Sequence, residues 1–222
     1  GNHMNYIRCS EQTTWTTDSK SGDYAIEFNG EDGCTGVYTG DEFNSDSPDE
    51  MTAEAWIKLD EIDRWNPVYA HYEDGYLIFR VNSNNRLHLQ VDGNYGWYAV
   101  TGSTELKSGV WYHVAATYSS TTDRIRVYLD GSVDGTTNLP SAYTMNNRNC
   151  CENWVGYDNY NGYNFDGIID EVRISNVERI DFNSPDNITF NGSAVDQSGY
   201  VAAYSWVSSI DGQLSTQGNF SI

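Results

Sequence analysis

A chain of 222 residues is long enough for one large β domain, or one domain plus a fragment of another. Its 38% hydrophobic and 14% aromatic content is that of a globular protein, and no apolar run reaches the length of a bilayer span. A net charge of −20, from 32 acids against 12 bases, argues against nucleic acid, whose phosphates need a basic partner, and against adsorption to anionic lipid.

Gly1-Asn2-His3-Met4 reads as the remnant of an expression tag and is set aside. The four cysteines are Cys9, Cys34, Cys150 and Cys151, with no C-x-x-C spacing of a zinc or redox site. A bond between adjacent Cys150 and Cys151 would close a strained ring, so each is expected to reach Cys9 or Cys34. Two connectivities stay open. N-x-S/T sequons at Asn187, Asn191 and Asn219 fit a secreted or cell-surface setting, as disulfides would.

From Tyr24 onward the chain reads as short strands and turns. Residues 25–28 run into Asn29-Gly30-Glu31-Asp32-Gly33, a turn rich in oxygen ligands. Residues 51–59 alternate, with Met51, Ala53, Ala55, Ile57 and Leu59 on one face of a half-buried strand. Residues 68–71, 76–81 and 87–91 form an expected meander with polar turns between them, and 97–100 follows. Residues 111–118 and 124–129 pair as a hairpin. Residues 154–156 lead through a Tyr/Asn/Gly loop at 157–164 into 165–174, where Ile168, Asp170, Val172 and Ile174 are expected on one core face. A carboxylate there is costly unless amides, an arginine or a cation pair with it. Many short strands without helical periodicity predict an antiparallel all-β sandwich or barrel.

Four ordered segments carry a resemblance: A-I-E-F-N-G at 25–30, M-T-A-E-A-W-I-K at 51–58, the hairpin W-Y-H-V-A-A-T-Y…R-I-R-V-Y-L-D-G at 111–131, and F-D-G-I-I-D-E-V-R-I at 165–174. Together they resemble the laminin G-like domains of the concanavalin A-like lectin/glucanase class. The resemblance implies a jelly-roll sandwich of two curved antiparallel sheets over residues 5–180. It implies no single function, since such folds host many. Residues 181–222 are expected to be a linker followed by a truncated PKD-like (Ig-like) segment, or by a strand at 200–206 docked on the open sandwich edge.

Calcium is the expected cofactor. It takes six to eight oxygen ligands, and related sandwiches often hold one near these segments. Asn29, Gly30, Glu31, Asp32 and Asp170 are the expected ligands, with capping of backbone amides by Asp170 as the competing role. Glycan is the expected partner, because sugars stack apolar faces on aromatic rings and offer polar edges to amides and carboxylates. The chain has 17 Tyr and 7 Trp. Those expected in loops and at a ligand are Trp65, Tyr95, Trp97, Tyr160 and Tyr163, beside Asp158. Trp56 and Trp111 are expected to be buried and structural. His88, on a row with Gln90, is expected to be exposed.

Catalysis is not expected. Glu61-Ile62-Asp63 resembles the E-I-D of family 16 glycoside hydrolases, but the further Glu that motif needs is replaced by Trp65, and no carboxylate pair has an evident retaining geometry. The function expected is non-catalytic recognition or adhesion in a secreted or cell-surface protein. The alternatives are a structural assembly module using the C-terminal strand, and a divergent glycan-cleaving enzyme.

Overall fold

Alternating apolar and polar side chains drive this chain into strands, and among the described residues there is no helix. The computed structural model describes residues 6–7, 13–31, 37–38, 48–72, 77–146, 152–158, 161–182, 189–191, 206–208, 212–215 and 219–221. Cys9, Cys34, Cys150 and Cys151 lie outside these, as do Asp32 and Tyr160. The chain divides into two units, Gly1–Phe182 and Asn183–Ile222.

The first unit runs β1 (Tyr6–Ile7), β2 (Thr13–Thr16), β3 (Ala25–Asn29), β4 (Val37–Tyr38), β5 (Glu50–Leu59), β6 (Asn66–Tyr72), β7 (Leu77–Val81) and β8 (Leu87–Gly93). It continues through β9 (Gly96–Thr101), β10 (Trp111–Ser119), β11 (Arg124–Leu129), β12 (Ser132–Asn138), β13 (Glu152–Val155), β14 (Tyr157–Asp158), β15 (Tyr163–Asn164) and β16 (Asp166–Ser175). One sheet has the order β1-β4-β13-β6-β7-β8-β9; the other has β12-β11-β10-β5-β16-β3-β2. All pairings in both sheets are antiparallel. This is the expected jelly-roll sandwich.

The core lies between the sheets. Met51, Ala53, Ala55, Ile57 and Leu59 of β5 and Val114 and Ala116 of β10 belong to the same buried cluster as Leu77, Phe79, Val81, Leu87, Leu89 and Val91 from the other sheet. Burying each large aliphatic or aromatic side chain contributes roughly 1.5–3 kcal/mol. The expected phase of β5 is the observed one, and the 111–118 with 124–129 hairpin forms as β10 and β11.

The face expected for β16 needs correcting. Ile169 pairs with Ile57 and Asp170 with Trp56, but the next pair is Arg173 with Glu54, so a bulge sits between 170 and 173. Glu171 takes a left-handed φ of 49° there. An inserted residue reverses the side-chain phase. Ile169 belongs to the core cluster, with Val172 and Ile174 packed against it, while Asp170 shares the outer row with Trp56.

Trp56 and Trp111, expected to be buried, are both half-buried. Trp56 carries the Lys20 ammonium 4.0 Å from its ring centroid and the His113 ring at 5.4 Å. The Trp111 indole N–H donates to Asp18 at 3.4 Å. After β16 the chain runs against this same sheet. Thr52 Oγ1 donates to the Val177 carbonyl at 2.6 Å and accepts from Arg179 N at 2.9 Å, Arg179 pairs with Glu54, and the Phe182 ring lies 4.7 Å from that of Tyr128.

In the second unit β17 (Thr189–Asn191) pairs with β20 (Asn219–Ser221), and β18 (Trp206–Ser208) with β19 (Gly212–Ser215). Residues 200–205 of the expected tail strand lie outside the described residues.

Candidate functional site

Burial alternates along β8 and β9, so one face of these strands enters the core and the other faces outward, whereas β7 is buried along its whole length. Register places Arg80 opposite His88 and His88 opposite Thr101; Gln90 lies opposite Ala99, and Asp92 opposite Trp97. The outward row of β8 is therefore His88, Gln90 and Asp92, polar and half-buried. Trp97, Ala99 and Thr101 flank it on the edge strand β9, and all three are exposed.

Two segments approach one end of this row. The bend between β5 and β6 brings Trp65, and the β14–β15 hairpin brings Tyr163. Their rings stack at 5.8 Å with an interplanar angle of 16°. Trp65 also meets His88 edge-on at 5.8 Å, and the Arg80 guanidinium lies 4.0 Å from the Trp65 ring centroid. Arg80 donates to Asp158 Oδ2 at 2.9 Å and to Gln90 Oε1 at 3.2 Å. Asp158 itself is fully buried and also accepts from the Asn161 backbone and side-chain amides at 3.2 and 2.8 Å. Placed for ligand contact in the sequence reading, Asp158 instead ties the hairpin to the sheet. A buried ion pair of this kind is costly to break from one side, about 3–5 kcal/mol.

At the other end of the row stands Trp97, 45% exposed, with Tyr95 at 57% in the adjoining turn. His88 and Asp92 are four residues apart, about 13 Å along the strand. The described aromatic residues expected at a ligand thus fall into two groups, Trp65 with Tyr163 at one end of the polar row and Trp97 with the adjoining turn residue Tyr95 at the other. Asp92 is held by the Asn146 side-chain amide at 2.7 Å. Burial, reinforced by the charge of Arg80 and opposed by Gln90, pushes the His88 imidazole down to about 4. It is neutral near pH 7, and its Nδ1 lies 2.9 Å from Thr101 Oγ1.

Of the expected calcium ligands, the described Asn29, Gly30, Glu31 and Asp170 are not brought together, and Asp32 lies outside the described residues. Asn29 pairs with Asp166, four residues before Asp170 on the same strand. Asp170 Oδ2 accepts from the backbone N–H groups of Lys20 and Ser21 at 2.7 and 3.0 Å, and Oδ1 from that of Glu171 at 2.9 Å. Amide hydrogens aimed at a carboxylate do the work of a cation and would repel one. At the 29–31 turn, Asn29 Oδ1 accepts from Glu31 N at 3.2 Å and the Gly30 carbonyl accepts from Arg64 at 2.7 Å. These described residues, arranged this way, do not fit calcium. Among the described residues no group of three acids, histidines or cysteines converges on one point.

Glu61 and Asp63 lie on no strand. Asp63 has a left-handed φ of 61° and exchanges hydrogen bonds with Asn85 at 2.7 and 2.8 Å, while the Glu61 side chain is 69% exposed. The arrangement lacks the shared strand face that the resembling hydrolase motif requires. Sequence reading missed Arg80, whose signal was a charge inside the apolar run Leu77-Ile78-Phe79-Arg80-Val81. It also missed Arg64, which carried no signal.

A family model of laminin G type, described as the concanavalin A-like lectin/glucanases superfamily, matches residues 29–181. The mouse protein named sushi, von Willebrand factor type A, EGF and pentraxin domain-containing protein 1 is 34% identical over 92 residues, which is 40% of this chain and 2% of that protein. The chain therefore spans a small fraction of that relative. Domain 4 of AbnA, a GH43 extracellular arabinanase from Geobacillus stearothermophilus solved with arabinotriose, has a TM-score of 0.55 and 20% identity, covering 78% of this chain and 79% of that one. The CBM40 of a Ruminococcus gnavus sialidase, bound to alpha2,3 sialyllactose, has a TM-score of 0.53 and 13% identity, covering 68% and 89%. These two likenesses are of fold.

Proposed function

The chain belongs to the concanavalin A-like lectin/glucanases superfamily, and from that premise we propose that its first unit is a non-catalytic glycan-binding module of a secreted or cell-surface protein. The observation that carries the reading is the outward face of β7–β9, with Trp65 stacked on Tyr163 at one end, Trp97 at the other, and His88, Gln90 and Asp92 between. Aromatic faces take the C–H surfaces of sugar rings, and a row of amide, imidazole and carboxylate takes their hydroxyls. The buried Arg80–Asp158 pair fixes the hairpin beforehand, which limits the ordering cost of binding. Similarity of fold to modules solved with arabinotriose and with sialyllactose supports the same reading.

The test is a glycan array followed by titration calorimetry of the best-retained sugar. Selective retention that weakens in Trp97→Ala and in Trp65→Ala is expected. A blank array from folded protein, accompanied by multimers in sedimentation, would instead favour the assembly role. Turnover of a retained polysaccharide would favour the enzyme.

A further inference from the structure

Three separated segments meet at the Arg64 side chain. Its Nη1 donates to Asp166 Oδ2 at 3.1 Å and to Glu61 Oε2 at 3.4 Å. Its Nη2 donates to the Gly30 carbonyl at 2.7 Å and to the Asn164 carbonyl at 3.4 Å. Two carboxylates and two carbonyls are the oxygen donors that a hard divalent ion selects, yet here a side chain supplies the charge. Gly30 is shaped for this. Its φ is 66°, and a Cβ there would lie 2.7 Å from Arg64 Nη1. Burial pushes the Asp166 carboxyl up, Arg64 opposes that, and the neighbouring Glu61, Asp60 and Glu31 charges push it up further. Without its cation this corner would be an uncompensated acidic cluster.

The same contacts reach the aromatic wall through the backbone. Trp65 follows Arg64 directly, and Tyr163 precedes the Asn164 whose carbonyl Arg64 holds. We propose that Arg64 is a built-in cation that takes the place of a metal ion at this corner, so that the sandwich and its Trp65–Tyr163 pair are held without calcium. The consequence for sugar binding rests on the function proposed above; the consequence for stability does not.

Melting curves of the full chain in excess EDTA and in millimolar calcium chloride test the proposal, on wild type, Arg64→Met and Arg64→Lys. Wild type is expected to melt at the same temperature in both buffers. Arg64→Met should melt several degrees lower in EDTA and recover part of the loss in calcium, now that the oxygens face no cation. Arg64→Lys, which keeps the charge but not the fork, should lose less than Arg64→Met. A wild-type melt that falls in EDTA overturns the proposal, as does an Arg64→Met melt equal to wild type. So does Arg64→Lys losing as much as Arg64→Met, since shape rather than charge would then matter. If Arg64→Met does not accumulate folded in EDTA, folding in calcium supports the idea and failure in both buffers overturns it. Affinity for the sugar retained on the array should be unchanged by EDTA. Loss of that affinity overturns the proposal, whereas a blank array removes only the glycan reading and leaves the melts to decide on Arg64.

Discussion

One backbone torsion decides what Asp170 does. The left-handed Glu171 inserts a bulge, and the carboxylate leaves the core face to cap the Lys20–Ser21–Glu171 amides. A charged acceptor of backbone amides is worth about 1.5–3 kcal/mol. Asp170→Ala should therefore lower the melting temperature by about 5 °C or more for a domain this size, and added calcium should not restore it. A differential scan with and without calcium checks both statements. At the same scale, Trp97 is exposed and packs no core, so Trp97→Ala should leave the melt unchanged while weakening sugar binding about tenfold, the loss of one aromatic stack. The alternation of 165–174 was legible in the sequence, but the bulge was not. No residue type in Asp170-Glu171-Val172-Arg173 demands a positive φ, as glycine would have advertised.

Among the elements, the β14–β15 hairpin matters most for function, because it delivers Tyr163 to Trp65. Its anchor is the buried Asp158, held by Arg80 from β7. Asp158→Asn removes one charge and strands the other. It should cost about 3 kcal/mol or more of stability, more than Asp92→Asn costs, since Asp92 lies half-buried at the other end of the row, and it should also lower sugar affinity. Thermal melts and calorimetry on the two variants make the comparison. The strands themselves were legible: polar and apolar residues alternate through β8 and burial follows them residue by residue, and the expected aliphatic row of β5 is the one in the core cluster. The hairpin anchor was not legible, because Asp158 in a Tyr/Asn-rich loop looks like a solvent-facing ligand group until its partner, 78 residues earlier in the chain, is known.

For the whole molecule, acid is the expected weakness. His71, His88 and His113 are all pushed below the ordinary histidine range, burial being the first cause in each. The folded chain thus binds fewer protons than the unfolded one between the unfolded value near 6.5 and the folded value, about 4 for His88. Stability must rise with pH across that window and fall as pH drops through it. The melting temperature should be lower at pH 5 than at pH 7, and His88→Gln should reduce that difference. Asp166, pushed upward by burial, works with the opposite sign at the acid end. The net charge of −20 adds self-repulsion near neutral pH that salt screens. Fold class was readable at this scale because four spaced segments had to agree, whereas the binding face depends on which row of β8 points outward and on what packs over it. The most direct measurement of the central claim is calorimetric titration of the array-selected glycan into wild type, Trp65→Ala and Trp97→Ala. Saturable binding to wild type and a marked loss in both variants are expected, with the melt preserved in Trp97→Ala; binding unaltered in both variants would place the ligand elsewhere and contradict a site on the β8 face.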